Sequence, residues 1–283
     1  EKYKNKVLFI GIMSYETFPL PSPNPYSLQH DRNEYIEKFS AWLNMYREPD
    51  NIFPDHVKLV QMSNSDFHLP RADLEREQEE GKHIKRFDFV YVGSHGGENY
   101  TTPECDGWGN HEKNWTFARE ALNVLCGDLG LNGVLIATRN SWDSEACSIP
   151  DVCKGKVLQT PFMPQDEALN LFRQSRFLFA PQVFDASPRV VTQAMTLNVP
   201  VLMNSNIIGG WKYVNNKTGE FFHDMSDFRQ SVQTLLSNLD LNEPRKYNLS
   251  NYGNENAGLR LRRFVEENFS DMVELPTDTE LLI

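Results

Sequence analysis

No run of this sequence approaches the ~18 consecutive apolar residues that a membrane-crossing helix needs, and no apolar signal-like segment stands near its start. The chain as given is therefore expected to lack a transmembrane segment and to work in the cytoplasm. Because it opens on Glu1 rather than Met, an upstream anchor stays open. Basic residues are also scarce: 28 Lys and Arg stand against 39 Asp and Glu, a net charge of −11. A non-specific nucleic-acid binder works by displacing counterions with a basic surface, so no nucleic-acid partner is expected. A local cluster of basic side chains and helix ends can still hold an anion.

Cysteine is sparse too, at Cys105, Cys126, Cys147 and Cys153, and no pair has C-x-x-C spacing. A zinc site is not expected from such a set. Cys147 and Cys153 flank a loop and would bridge in an oxidising compartment; free thiols in a reducing cytosol are the simpler expectation. Sequons begin at Asn99, Asn114, Asn216, Asn248 and Asn268. Several fall in predicted helices or turns, and chance occurrence is the expectation for them.

What the chain does have is length and order. Its 283 residues, 40% hydrophobic, are enough for one large domain or two small ones. The most informative stretch runs from Lys156 to Asn204. Lys156–Thr160, Phe177–Pro181 and Pro200–Asn204 are short apolar runs bounded by turn residues, as parallel strands covered on both faces should be. Between them, Asp166–Ser175 and Pro188–Leu197 have helical spacing. Strand, helix, strand, helix, strand indicates an α/β sheet with right-handed crossovers. Ser187 is a favoured N-cap residue and Pro188 suits a first helical turn. A helix starting there, past a strand's carboxyl end, offers N–H groups and dipole potential to a phosphate, and Arg189 adds a charge.

Asp185, Ser187-Pro188-Arg189-Val190, Gln193-Ala194-Met195 and Asn198-Val199-Pro200-Val201-Leu202 together resemble the donor-binding segment of nucleotide-sugar glycosyltransferases of the GT-B fold, in a variant similar to those of algae and large algal viruses. The resemblance implies two Rossmann-like lobes with parallel sheets and a donor phosphate at Ser187–Val190. Asp185 matches the first acid of the family's pattern. Gln193 stands where a second acid is usual; an amide can still accept and donate bonds to a ribose. The resemblance also implies an apolar contact to the base at Phe162, a basic donor contact near Arg139, and a cytoplasm that is the host's if the protein is viral.

The rest of the chain is placed around that segment. Lys6–Ile12 reads as a buried strand, with Gly11 allowing a sharp turn after it. Four prolines between Pro19 and Pro25 make the next stretch an extended loop. Tyr35, Ile36, Phe39, Trp42, Leu43 and Tyr46 have helical spacing, so His30–Tyr46 is predicted to be a helix. Val57–Met62 reads as a second strand, and the acidic stretch from Ser63 to Gly81 as a solvated helix. With only two strands, residues 1–84 form an abbreviated acceptor-side lobe, and residues 85–283 the donor-binding lobe. Phe87–Gly93 begins the latter as a central strand. A Gly-rich loop follows without Walker spacing, and Lys113 near the next helix start is a candidate diphosphate contact, with Gly93 at the strand end. Helix Gly258–Phe269 is expected to cross back to the first lobe.

The leading expectation is therefore a glycosyltransferase moving a sugar from a nucleoside diphosphate sugar to a hydroxyl of a glycan acceptor. A UDP-sugar is favoured, with a pentose such as xylose among the donors considered. Helix dipole and basic side chains would stabilise the departing diphosphate, so no metal and no cofactor is expected. The other major transferase fold ligates a metal with D-x-D; the nearest approach here is Asp278-Thr279-Glu280. If the reaction inverts, a carboxylate must deprotonate the acceptor, and Glu16, Asp66 and Asp73 are candidate bases. A nucleotide-sugar epimerase and a non-catalytic nucleotide-sugar binder are the alternatives.

Overall fold

A computed structural model describes residues 7–13, 36, 38–67, 84–93, 105 and 108–272. Among them the strands form two parallel sheets, one of three strands in the order β1-β2-β3 and one of six in the order β6-β5-β4-β7-β8-β9. The first sheet holds β1 (Ile10–Ile12), β2 (Ala41–Asn44) and β3 (Lys58–Gln61). The second holds β4 (Phe87–Val92), β5 (Gly133–Ile136), β6 (Val157–Gln159), β7 (Ser175–Ala180), β8 (Val201–Asn204) and β9 (Gly219–Phe222). Counted from its own first strand, the second sheet has the order 3-2-1-4-5-6 of a dinucleotide-binding domain, with its topological switch point between β4 and β7.

Alternation along these strands divides the second lobe's core into two layers. Phe89, Tyr91, Leu135, Phe177, Phe179 and Leu202 face one way. Helices α3 (Trp115–Leu122) and α6 (Met225–Ser237) cover them with Trp115, Ala118, Leu122, Phe228 and Val232. Val90, Val134, Ile136, Leu178, Val201 and Met203 face the other way, under Leu169 and Phe172 of α4 (Gln165–Arg173) and Val191, Ala194 and Met195 of α5 (Arg189–Thr196). Burial on both faces explains why β4, β5, β7 and β8 read as continuous apolar runs. At the sheet edge, β6 is not covered on both faces as expected, Leu158 being exposed.

The first sheet departs from expectation. Residues 41–44 are a fully buried strand, not part of a helix, and β2 lies between β1 and β3. Gly11 is not a turn either: it pairs with Trp42 inside the sheet, and a Cβ on it would overlap the Trp42 ring. Only α1 (Asn64–Phe67) of the helix expected from Ser63 falls within the described residues.

Past a short α7 (Pro244–Asn251), α8 (Asn254–Phe269) returns to this first sheet. Phe264, Val265 and Phe269 pack on Ala41, with Leu8, Ile10 and Val60 beside them. The polypeptide thus starts and finishes its described part in the same lobe.

The thiols are paired, contrary to expectation: Cys105 with Cys147 and Cys126 with Cys153, at Cα separations of 5.7 and 5.2 Å. Cys147 therefore does not pair with its sequence neighbour Cys153. One bridge ties the stretch after β4 to the loop after β5; the other ties the end of the α3 segment to the turn before β6.

Candidate functional site

The switch point brings the carboxyl ends of β4 and β7 side by side. Gly93 ends β4, its N–H donating to the Ile136 carbonyl at 2.8 Å. A Cβ there would lie 3.2 Å from the Ala137 carbonyl oxygen, so the position favours glycine by close packing on the end of β5.

A short helix α2 (Trp108–Lys113) meets α3 at Asn114, whose φ of 53° turns the chain between them. That junction is fixed from two sides. Tyr91 of β4 donates its hydroxyl to the Lys113 carbonyl at 3.1 Å, and Asn114 Nδ2 donates to the Pro181 carbonyl, just past β7, at 3.0 Å. Lys113 is consequently held at the switch point, buried, at the end of α2 and two positions before α3 begins.

Its ammonium lies 2.6 Å from Glu112 Oε1 and 3.4 Å from Asp185 Oδ2. Burial by itself would lower the lysine pKa, but the Asp185 and Glu112 carboxylates outweigh it and hold the pKa above the ordinary value. Lys113 is therefore a charged group through the physiological range. Beside it His111 stacks on Phe184 with ring centroids 4.3 Å apart.

Asp185 links this cation to the α5 start. Its other oxygen, Oδ1, accepts the Ser187 N–H at 3.0 Å. That bond makes a local turn and leaves Pro188, not Ser187, as the residue before the helix. The expected Ser187 N-cap bond is absent because the hydroxyl is used elsewhere. Ser65 N–H donates to Ser187 Oγ at 2.9 Å, Ser65 Oγ donates to the Ser187 carbonyl at 2.8 Å, and Ser187 Oγ donates to Ser63 Oγ at 3.1 Å. The first lobe thus closes over Ser187, and this side chain is not open to a ligand as expected.

Arg189, the first residue of α5, is exposed, and Gln193 follows it one turn later and half-buried. Val190 packs against the core, so only its backbone faces the helix start. Pro188 is buried against Gly210, whose φ is 77°. Gly209 passes so close to the Ala186 carbonyl that a side chain would overlap it. These two glycines let the chain after β8 pack on the approach to α5.

Arg139 and Phe162 lie farther along the sheet, after β5 and β6. Arg139 turns back into its own loop, Nη2 donating to the Ser144 carbonyl at 2.5 Å. Phe162 is 43% exposed and free to present an apolar face. The described contacts bring neither to the Lys113–Asp185 pair.

Of the candidate bases, Glu16 and Asp73 lie outside the described residues. Asp66 is fully buried between the lobes. It accepts from Lys212 Nζ at 2.6 Å, Tyr213 Oη at 2.5 Å and Ser63 N–H at 3.3 Å, with Arg260 3.6 Å away. Its oxygens are occupied by an inter-lobe network, which corrects the expectation of a loop carboxylate open to an acceptor. Burial raises the Tyr213 pKa well above normal, the Asp66 charge adding to it, while burial lowers that of Lys212 despite Asp66. Nothing in the sequence signalled this network, because Asp66 and Tyr213 are 147 positions apart.

Two parallel sheets of Rossmann type, with a helix that returns to the first, define the class of fold: GT-B. No family model matches the sequence, and no curated protein matches it. Among solved structures, the chain resembles sucrose-phosphate synthase from Thermosynechococcus elongatus, with a TM-score of 0.61 and 9% identity over 95% of this chain and 70% of that one. It also resembles TarM, at 0.57 and 13% over 90% of this chain and 50% of that one; a mutant of S. aureus TarM was solved with fondaparinux, α-GlcNAc-glycerol and UDP. The pneumococcal O-GlcNAc transferase GtfA, solved with UDP and GlcNAc, matches at 0.53 and 8% over 92% and 52%. The chain spans about half the length of TarM and GtfA. At such identities the likeness establishes the shared fold.

Proposed function

We propose that the protein is a glycosyltransferase that moves a sugar from a nucleoside diphosphate sugar to a hydroxyl of a glycan acceptor, with no metal ion. The carrying observation is Lys113: a buried ammonium, kept charged by Asp185 and Glu112, at the switch point of a 3-2-1-4-5-6 sheet. Ligands of such sheets bind outside the carboxyl ends at that point. A diphosphate arriving there would have to displace the Glu112 and Asp185 carboxylates as partners of Lys113, and Arg189 at the α5 start would add a second cation. In the reaction the same cations would stabilise charge as it develops on the departing diphosphate.

UDP is the first nucleotide to test, since the TarM and GtfA structures named above hold it. Phe162 is proposed as the apolar contact for the base and Gln193 as the ribose contact. The transferred sugar is a hexose or a pentose, xylose included. Glu16 and Asp73 are the proposed bases.

The test is transfer itself: the full chain is incubated with UDP-sugars and glycan acceptors in EDTA, and product is followed by mass. Lys113→Met is expected to lower kcat/KM by about a hundredfold, the scale for losing one group that faces developing charge. Unchanged kinetics would contradict the assignment. One observation favours a second reading, a non-catalytic nucleotide-sugar binder: Asp66 is engaged between the lobes and is not positioned as a base. That protein would bind donor in EDTA with no transfer or hydrolysis. An epimerase would instead isomerise the donor without an acceptor.

A further inference from the structure

We propose that Asn216 is a glycan-bearing asparagine and that the chain matures in an oxidising compartment. All four cysteines of the sequence are paired, in two separate bridges whose Cα spacings suit disulfides. Structural disulfides persist in secretory and extracellular environments and are rare in reducing ones. In that setting the Asn-x-Ser/Thr triplets become potential acceptors; Asn99 lies outside the described residues, and among the other four the fold separates one from the remaining three.

Asn248 is fully buried, its Nδ2 donating to Thr196 Oγ1 at 2.8 Å. Asn114 is committed to the switch point through Pro181, and Asn268, half-buried, has its Nδ2 donating to the Phe264 carbonyl one turn back in α8 at 2.9 Å. Asn216 is different: it and Lys217 are the exposed residues of a surface turn before β9. That turn is held from within. Asn215 Oδ1 accepts the Lys217 N–H at 2.9 Å, the Asn215 N–H donates to Thr218 Oγ1 at 2.9 Å, and the Lys217 carbonyl accepts from Glu243 N–H at 2.7 Å. A bulky group on Asn216 therefore extends into solvent without disturbing a packed surface.

The parallel register supplies the second argument. Gly219 pairs with Val201, so the turn sits at the amino ends of β8 and β9. Gly93, Lys113 and Asp185 follow the carboxyl ends of β4 and β7, on the opposite edge of the same sheet. A glycan at Asn216 leaves the candidate site uncovered.

The modification needs a lipid-diphosphate-linked oligosaccharide as co-substrate. Asn216 Nδ2 attacks its anomeric carbon, the N–C bond forms, and the bond from that carbon to the diphosphate oxygen breaks with its electron pair. The amide proton passes to the modifying enzyme's base, and no oxidant is consumed.

The test is peptide mapping of the protein from its native source, digested without reduction and treated with an N-glycosidase in heavy-oxygen water. The expected result is a heavy-labelled Asp at position 216, in the peptide spanning residues 213–217, and none at 114, 248 or 268, with Cys105–Cys147 and Cys126–Cys153 linked in the same sample. Recovery of that peptide unmodified, or label on Asn114, Asn248 or Asn268 instead, overturns the proposal. Asn216→Gln, passed through a eukaryotic secretory pathway, should lose the mass of one glycan and keep both disulfides. A variant that keeps its glycan overturns the proposal too.

Discussion

Lys113 and Asp66 are both buried charges, and their partners assign them different work. Lys113 sits between two carboxylates at the switch point, and exchanging it for Met also leaves Asp185 and Glu112 without their cation. The variant's urea midpoint is therefore read beside its kinetics, and donor use is expected to fall even where the protein remains folded. Asp66 sits between lobes with Lys212 and Tyr213 on its oxygens. Asp66→Asn leaves the Lys212 ammonium buried without its countercharge, and a loss of about 3–5 kcal/mol is expected, read from the urea midpoint. An Asp66→Asn protein of normal stability but without transfer activity would instead identify Asp66 as the base. Tyr213 gives a pH prediction. Its phenol pKa lies above the ordinary 10.0, through burial first and then the Asp66 charge. The stability it contributes is therefore fully present below pH 10 and is lost as pH rises through the folded value. Thermal melts from about pH 8 to about pH 11 should show a shallower alkaline loss in Tyr213→Phe than in the native protein. Identical slopes would count against the network. Much of this residue-level picture could not be read in advance. Lys113 was singled out for its place near a helix start and Asp185 by the family resemblance, but the hydroxyl that Ser187 was expected to spend on its helix goes to Ser63 and Ser65, which no local pattern announces.

At the scale of elements, much of the second sheet was legible because Phe87–Gly93, Lys156–Thr160, Phe177–Pro181 and Pro200–Asn204 are short apolar runs with turn residues at their ends. The first sheet was not. Ala41–Asn44 is buried on both sides, so it lacks the alternation that marks a half-exposed strand. With Phe39 and Tyr46 around it, Trp42 and Leu43 happen to fit a helical spacing, and the wrong period was preferred. Trp42 also needs the bare backbone of Gly11 beside it, a fit that appears only when the strands pair. The segment after β8 gives an element-level prediction. Gly209→Ala sets a methyl against the Ala186 carbonyl and must push the approach to α5 aside. Donor KM is expected to rise at least tenfold, measured by steady-state kinetics, with Gly127→Ala as a control at a glycine without a positive φ, where a Cβ would meet only Val152 at an ordinary contact distance.

For the molecule as a whole, several interactions tie one lobe to the other. Arg47 packs its guanidinium 5.0 Å from the Trp211 ring and donates to the Ser205 carbonyl at 2.7 Å, while Trp211 Nε1 donates to the Met45 carbonyl at 3.1 Å. The Asp66 network and α8 add to these. Residues 85–283 expressed alone would bare Phe264, Val265 and Phe269, which pack on Ala41 in the complete chain. That piece is expected to aggregate or to lack a cooperative melt, whereas the full chain should unfold in one transition; two separate transitions would contradict this view of the lobes.

Thermal shift with UDP-, GDP- and ADP-sugars in EDTA reads out whether the switch point beside Lys113 grips a nucleoside diphosphate without a metal, as proposed. A donor present at about a hundred times its Kd should stabilise the native protein by about 2.7 kcal/mol, and the account predicts such a rise for one nucleotide and its loss in Lys113→Met. No rise with any donor, or a rise only when a divalent ion is restored, would contradict it.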